Sequence, residues 1–313
     1  MATTHDVPAG QGEPLSYPDS VVRDVVTTPE GVRLSSFAFG RADGPSVVFI
    51  MPVGLEARIV APLANALGKT YRFITWETRL APGADGALGE TSCEVSSHLS
   101  DLEAVLDHYG LRGPVPLFSW CSSTQIALRF ARERPERVAS LIVVSPYLRG
   151  VIEESERRAR NRKIYDRVVR RPGIADALVN EMQQTSALPD ALMEEYQTTR
   201  LEIAEMVASP LLCAESLRRY ASVMNALERI EPVDLAYQLE KPMLVVTGLR
   251  DRLASPDIAR GIAERQGARV LTDPDCDHYI PVTPHRVLGG IESFLRETTA
   301  ASVGYEQPQA AAV

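Results

Sequence analysis

Four cysteines and five histidines are the first residues to ask chemistry of. Cys93, Cys121, Cys213 and Cys276 are scattered, with no CxxC pair. That spacing points to neither a zinc cage nor a dense disulfide framework. One cysteine has a distinctive setting. In VPLFSWCSSTQIALRF an apolar strand stops abruptly and a helix starts within a few residues. Such a turn holds one side chain exposed and strained at the end of a sheet. It needs small residues two before and two after that side chain, because strand and helix approach closely. The frame centred on Cys121 places Ser119 and Ser123 at the flanks. Centring on Ser122 places Trp120 and Thr124 there, and centring on Ser123 places Cys121 and Gln125. Sterics therefore select Cys121, and the N-terminus of the following helix favours a thiolate.

Two further pieces complete a chemistry. In MLVVTGLRDRLASP a buried strand ends near Gly248 and Asp251 follows in a turn. In VLTDPDCDHYIPV, His278 sits between the last strand and the final helix. A free thiol has a pKa near 8.5 and is mostly neutral at pH 7. An adjacent imidazole can take its proton, and a carboxylate can hold the imidazole in the required tautomer. The competing readings are an inert core cysteine and a turn or helix-capping aspartate. The other histidines fit a base less well. His5 lies in a tail, His98 and His108 share one helix without ligand-pair spacing, and His285 opens the final helix. Cys276 reads as packing. No metal or cofactor is expected. Trp120 and Trp76 are candidate pocket walls, with core packing as the alternative. Glu77 and Arg79, at the same sheet edge, are candidate polar pocket groups.

The elements that must position these residues are legible as alternating patterns. Strands are expected at Val21–Thr27, Val32–Phe39, Ser46–Met51, Tyr71–Trp76, Val115–Trp120, Ala139–Ser145, Met243–Thr247 and Arg269–Leu271. Runs such as VVFIM and LIVVS are nearly continuous and apolar, the mark of strands buried on both faces. Helices are expected at Arg58–Leu67, Glu94–Tyr109, Ser123–Arg134, Pro256–Gln266 and Pro284–Thr298. Leu99, Leu102, Val105 and Leu106 recur at helical spacing and should face the sheet. The class is thus α/β, with a mostly parallel sheet of about eight strands and helices on both faces. Residues 150–240 hold no good strand and read as an inserted helical cap, with breaks at Pro172, Pro189, Pro210 and Pro232. The core is then 21–149 and 241–298, with flexible tails at 1–20 and 299–313.

Together these pieces resemble the α/β-hydrolase fold over nearly all of Val21–Thr298, on SWCSS at the turn, GLRD with Asp251 and DCDH with His278. The resemblance implies Cys121 as nucleophile, Asp251 as acid and His278 as base, in the family's chain order. Most members carry serine at the nucleophile position. Those with cysteine include dienelactone hydrolases and some thioesterase-like biosynthetic enzymes. Where many members have His-Gly after the third strand, this chain has Met51-Pro52-Val53-Gly54. Pro52 has no N–H, so an oxyanion hole would use the amides of Val53 and Ser122. The Arg-Gly-x-Gly pattern after the fourth strand is replaced by Glu77-Thr78-Arg79-Leu80.

The leading expectation is acyl chemistry on an ester or thioester through a Cys-His-Asp triad, in secondary metabolism, as a hydrolase, thioesterase or acyltransferase. The alternatives are a lyase that eliminates a carboxylate such as acetate from a polyketide- or tetronate-type intermediate, and a non-catalytic ligand binder. Dehalogenase and epoxide hydrolase chemistry would need an aspartate in the turn, and none is there. The partner is a small acyl molecule, free or carrier-bound, and the oligomeric state is open, a homodimer included. A formal net charge of −8, from 33 Lys+Arg against 41 Asp+Glu, argues against nucleic acid. No apolar run reaches the roughly 18–20 residues of a membrane span, and no signal peptide is visible, so a cytoplasmic enzyme is expected. Against the acidic total stands RRARNRKIYDRVVRR at the front of the cap. It reads either as a solvated face or as an entrance for an anionic arm or acidic carrier.

Overall fold

The computed structural model describes residues 15–18, 20–79, 81, 93–152, 155–186, 189–229 and 238–303. Eight strands form one sheet in the order β1-β2-β4-β3-β5-β6-β7-β8. They are β1 (Val22–Thr27), β2 (Arg33–Gly40), β3 (Ser46–Ile50), β4 (Arg72–Trp76), β5 (Val115–Trp120), β6 (Val138–Val144), β7 (Met243–Gly248) and β8 (Arg269–Asp273). β2 pairs antiparallel with β1 and β4, and every later pairing is parallel. Each expected strand is present, with ends shifted by two residues at most.

The continuous apolar runs divide between two cores. Val48 and Ile50 of β3 face one hydrophobic cluster, while Val47 and Phe49 face the other. The first cluster includes α2 (Val95–His108), α3 (Thr124–Glu133) and α9 (Pro256–Gln266). The second includes α1 (Ala61–Leu67) and α10 (Leu288–Val303). Leu99, Leu102, Val105 and Leu106 of α2 are buried against the sheet. Burial on both faces removes every apolar side chain of a strand from water, which selects unbroken Val, Ile, Leu and Phe.

Between β6 and β7 lie α4 (Glu156–Arg170), α5 (Ala175–Ser186), α6 (Pro189–Glu195), α7 (Leu201–Ala208) and α8 (Ala214–Glu228). Short 3-10 turns begin at Pro172 and Ser209, so Pro172, Pro189 and Pro210 all mark helix junctions. Pro232 lies outside the described residues. Val168, Ala175, Val179, Leu217 and Ala221 give this layer a small core of its own.

Both expected tails are shorter than the sequence reading had them. Leu15 is buried, and its N–H donates to Glu202 at 3.1 Å. The Tyr17 ring stacks on Phe37 at 4.8 Å. At the other end α10 continues to Val303. Residues 1–14, 19 and 304–313 lie outside the described residues. Among the described residues no helix is long and apolar enough to cross a membrane.

Candidate active site

Cys121 follows β5 directly and has φ of 54°. A left-handed conformation at a non-glycine residue costs of the order of 1–3 kcal/mol and persists only where surroundings enforce it. They do so here. Ser119 and Ser123 are fully buried. Ser123 Oγ accepts from the Trp120 N–H at 2.9 Å and donates to the Ile50 carbonyl at 2.7 Å, stitching the turn to β3. The Tyr147 N–H donates to the Cys121 carbonyl at 3.2 Å, fixing the turn from the β6 side.

Asp251 and His278 meet. The His278 Nδ1 lies 2.8 Å from Asp251 Oδ2. The other carboxylate oxygen accepts the N–H groups of Leu253 at 2.9 Å and Ala254 at 2.8 Å, so the acid is held on both sides. Gly248 makes the meeting sterically feasible. A Cβ there would lie 2.3 Å from the Cys276 carbonyl oxygen and 2.4 Å from that of Asp277. Trp120 Nε1–H donates to the His278 carbonyl at 3.1 Å, anchoring the histidine to the strand that leads into Cys121. Cys121 and His278 line one cavity together. Burial alone would lower the His278 pKa, but the charges of Asp251 and Cys121 and the hydrogen bond to Asp251 hold it well above its ordinary value.

The thiol opens into a cavity of about 580 Å³. Trp120, Ser122, Val53 and His278 of the core line it, together with Arg157, Arg160, Tyr165 and Tyr220 of the helices between β6 and β7. Trp120, a candidate pocket wall, is among the lining residues. Trp76, Glu77 and Arg79 do not line this cavity, and their roles need correcting. Trp76 is buried in the core. Glu77 Oε1 accepts the Ala57 N–H at 3.1 Å and the Tyr17 hydroxyl at 3.3 Å. Burial raises its carboxyl pKa. Arg79 pairs with both oxygens of Asp101, at 2.9 and 2.6 Å, and with Glu30 at 2.7 Å. Thr78 Oγ1 accepts the Gly54 N–H at 3.1 Å. The segment after β4 is therefore scaffolding that holds the loop after β3. Leu80 lies outside the described residues.

The two expected oxyanion amides differ in availability. The Val53 N–H already donates to Ser122 Oγ at 3.2 Å. Gly54, with φ of 79°, sets the bend beside it, and a Cβ there would meet Pro210 Cγ at 2.8 Å. Two residues that the sequence reading missed also shape the site. Tyr147 lines the cavity, and the Arg158 guanidinium lies 4.0 Å over its ring. Nothing in the basic run distinguishes Arg158 from its neighbours, because its role depends on which helix face meets Tyr147. Among the described residues no group of three or more His, Cys, Asp or Glu could hold a metal.

No family model matches the chain, and no curated protein matches it in sequence. Solved structures do match in shape. A thermophilic esterase from Thermogutta terrifontis has a TM-score of 0.65 at 24% identity, over 88% of this chain and 99% of that one. The chain has the α/β-hydrolase fold. An enol-lactonase from Burkholderia xenovorans aligns with a TM-score of 0.66 at 17% identity, over 87% of this chain and all of that one. A haloalkane dehalogenase from Bradyrhizobium elkani reaches 0.69 at 16% identity, over 90% of this chain and all of that one. At these identities the likeness carries the fold and leaves the chemistry to the site.

Proposed function

We propose that this α/β-hydrolase-fold protein is an enzyme of acyl transfer or hydrolysis working through a thioester on Cys121. One observation carries the reading: a strained cysteine that lines the cavity together with an imidazole that Asp251 holds at 2.8 Å. His278 takes the thiol proton, and the thiolate adds to the substrate carbonyl. The resulting oxyanion is met by the Ser122 amide and, once its present acceptor moves aside, the Val53 amide. The carbon–oxygen or carbon–sulfur bond to the leaving group then breaks, and His278 returns its proton to that group. Water or a second alcohol, amine or thiol next loses a proton to His278 and attacks the thioester, which releases the thiolate. The substrate is a small acyl compound, free or carried on an anionic arm. The test is intact-protein mass spectrometry with an activated thioester. The wild type should gain one acyl mass, and Cys121→Ala should neither gain it nor turn over. An active Cys121→Ala variant would sink the reading.

A second reading is favoured by the engaged Val53 amide. An enzyme that eliminates a carboxylate needs no tetrahedral oxyanion. In that case His278 or the thiolate takes a proton from the carbon next to the one bearing the carboxylate, an alkene forms, and the carboxylate leaves. Reaction in heavy-oxygen water separates the two. Hydrolysis puts label in the acid, whereas elimination gives an alkene and an unlabelled acid.

A further inference from the structure

The wall beside the nucleophile carries a built hydrogen-bond donor that the triad does not use. Tyr147 follows β6 in the loop whose backbone binds the Cys121 carbonyl, so its place beside the elbow is fixed. Its hydroxyl has no hydrogen-bond partner among the described residues, and it is not sealed in the protein, because Tyr147 lines the cavity. Over its ring lies Arg158, at 4.0 Å. That guanidinium is itself locked. Nη1 donates to the Leu148 carbonyl at 2.6 Å, and Nη2 donates to Glu228 at 3.1 Å across α4 and α8. A cation over a phenol ring draws electron density from it and strengthens the O–H as a donor. Burial raises the phenol pKa, so the proton stays in place throughout the working range. An unspent donor in a largely apolar cavity calls for an acceptor on the ligand, since leaving it unpaired once water is expelled costs free energy.

We propose that the acyl substrate carries a second carbonyl oxygen near the scissile one, as a 3-oxoacyl group does, and that Tyr147 reads it. This inference rests on the acyl reading above. It adds a substrate class and makes Tyr147 a specificity-determining residue. The volume of about 580 Å³ leaves room for a medium-length or ring-bearing chain beyond the two carbonyls.

The experiment compares two N-acetylcysteamine thioesters of equal length, 3-oxodecanoyl and decanoyl, on the wild type and on Tyr147→Phe. The wild type should prefer the 3-oxo substrate in kcat/KM by about fivefold or more, and the variant should lose most of that preference, a factor of the size one hydrogen bond supplies. Equal loss on both substrates would assign Tyr147 to packing and overturn the inference. A wild type that favours the decanoyl thioester, or an unchanged ratio in the variant, overturns it too. If neither thioester is consumed or leaves an acyl group on Cys121, the acyl reading itself has failed.

Discussion

At His278, burial and charge pull in opposite directions, and charge prevails. This has a consequence for stability. A histidine whose folded pKa is raised contributes stabilisation that is fully present below its unfolded value, about 6.5. The stabilisation fades as pH rises through the raised folded value. Asp251 supplies much of the opposing charge. The stability gap between the wild type and Asp251→Asn should therefore be widest near pH 6 and narrow at alkaline pH, measured by urea denaturation at each pH. A gap that widens with pH contradicts the proposed ion pairing. Ser122 offers a second test at this scale. Its hydroxyl occupies the Val53 amide that an oxyanion would use. Ser122→Ala should free that donor and speed acylation of Cys121 by roughly 2- to 10-fold, the worth of one competing hydrogen bond. Stopped-flow release of a thiol from an activated thioester reads the rate, and a slower variant would show the hydroxyl helping instead.

At the scale of elements, the segment after β4 shows how position can mislead. Glu77 and Arg79 stand at the sheet edge where pocket residues gather, so the sequence reading placed them in the pocket. The structure turns both away from it. Glu77 holds the turn after β3, while Arg79 ties α2 to the β1–β2 turn through Asp101 and Glu30. The side chains of Arg79 and Asp101 are almost fully buried. Breaking such a pair by removing one partner costs about 3–5 kcal/mol, because a charge is left without compensation. Arg79→Ala should show a loss of that size in chemical denaturation. The folded fraction should still label at Cys121 with iodoacetamide, since Arg79 does not line the cavity. A stable Arg79→Ala protein that fails to label would restore Arg79 to the site.

Across the whole molecule, charge is distributed unevenly. The chain carries a formal net charge of −8, yet Arg160, Lys163, Arg167 and Arg171 are exposed along α4 and just beyond it, at spacings of one helix face. Arg160 also lines the cavity. A basic stripe that runs up to a cavity wall raises the local concentration of anionic ligands and loses that effect in salt. The paired reversal Lys163→Glu with Arg167→Glu should lower kcat/KM for a coenzyme A thioester several-fold at low salt. The same change should barely alter kcat/KM for the uncharged N-acetylcysteamine thioester. Equal effects on the two donors would make the stripe a solvated face and nothing more.

Much was legible in the sequence, for a physical reason. Strands buried on two faces must be apolar throughout, and a tight strand-to-helix turn must have small flanks. Both constraints act on neighbouring residues, so the chain displays the eight strands, the helices around them and the singular setting of Cys121 without its coordinates. The order of Cys121, Asp251 and His278 was legible too, because each follows a recognisable strand. Other features depend on residues far apart in the chain. The approach of Asp251 to His278 depends on the bare backbone of Gly248. The occupied Val53 amide depends on the rotamer of Ser122, 69 positions away. The stack of Arg158 on Tyr147 depends on how α4 lies over the loop after β6, and the reassignment of Glu77 and Arg79 on which way two side chains turn. Tertiary packing alone decides these, because each is a contact between segments whose patterns say only that they are buried.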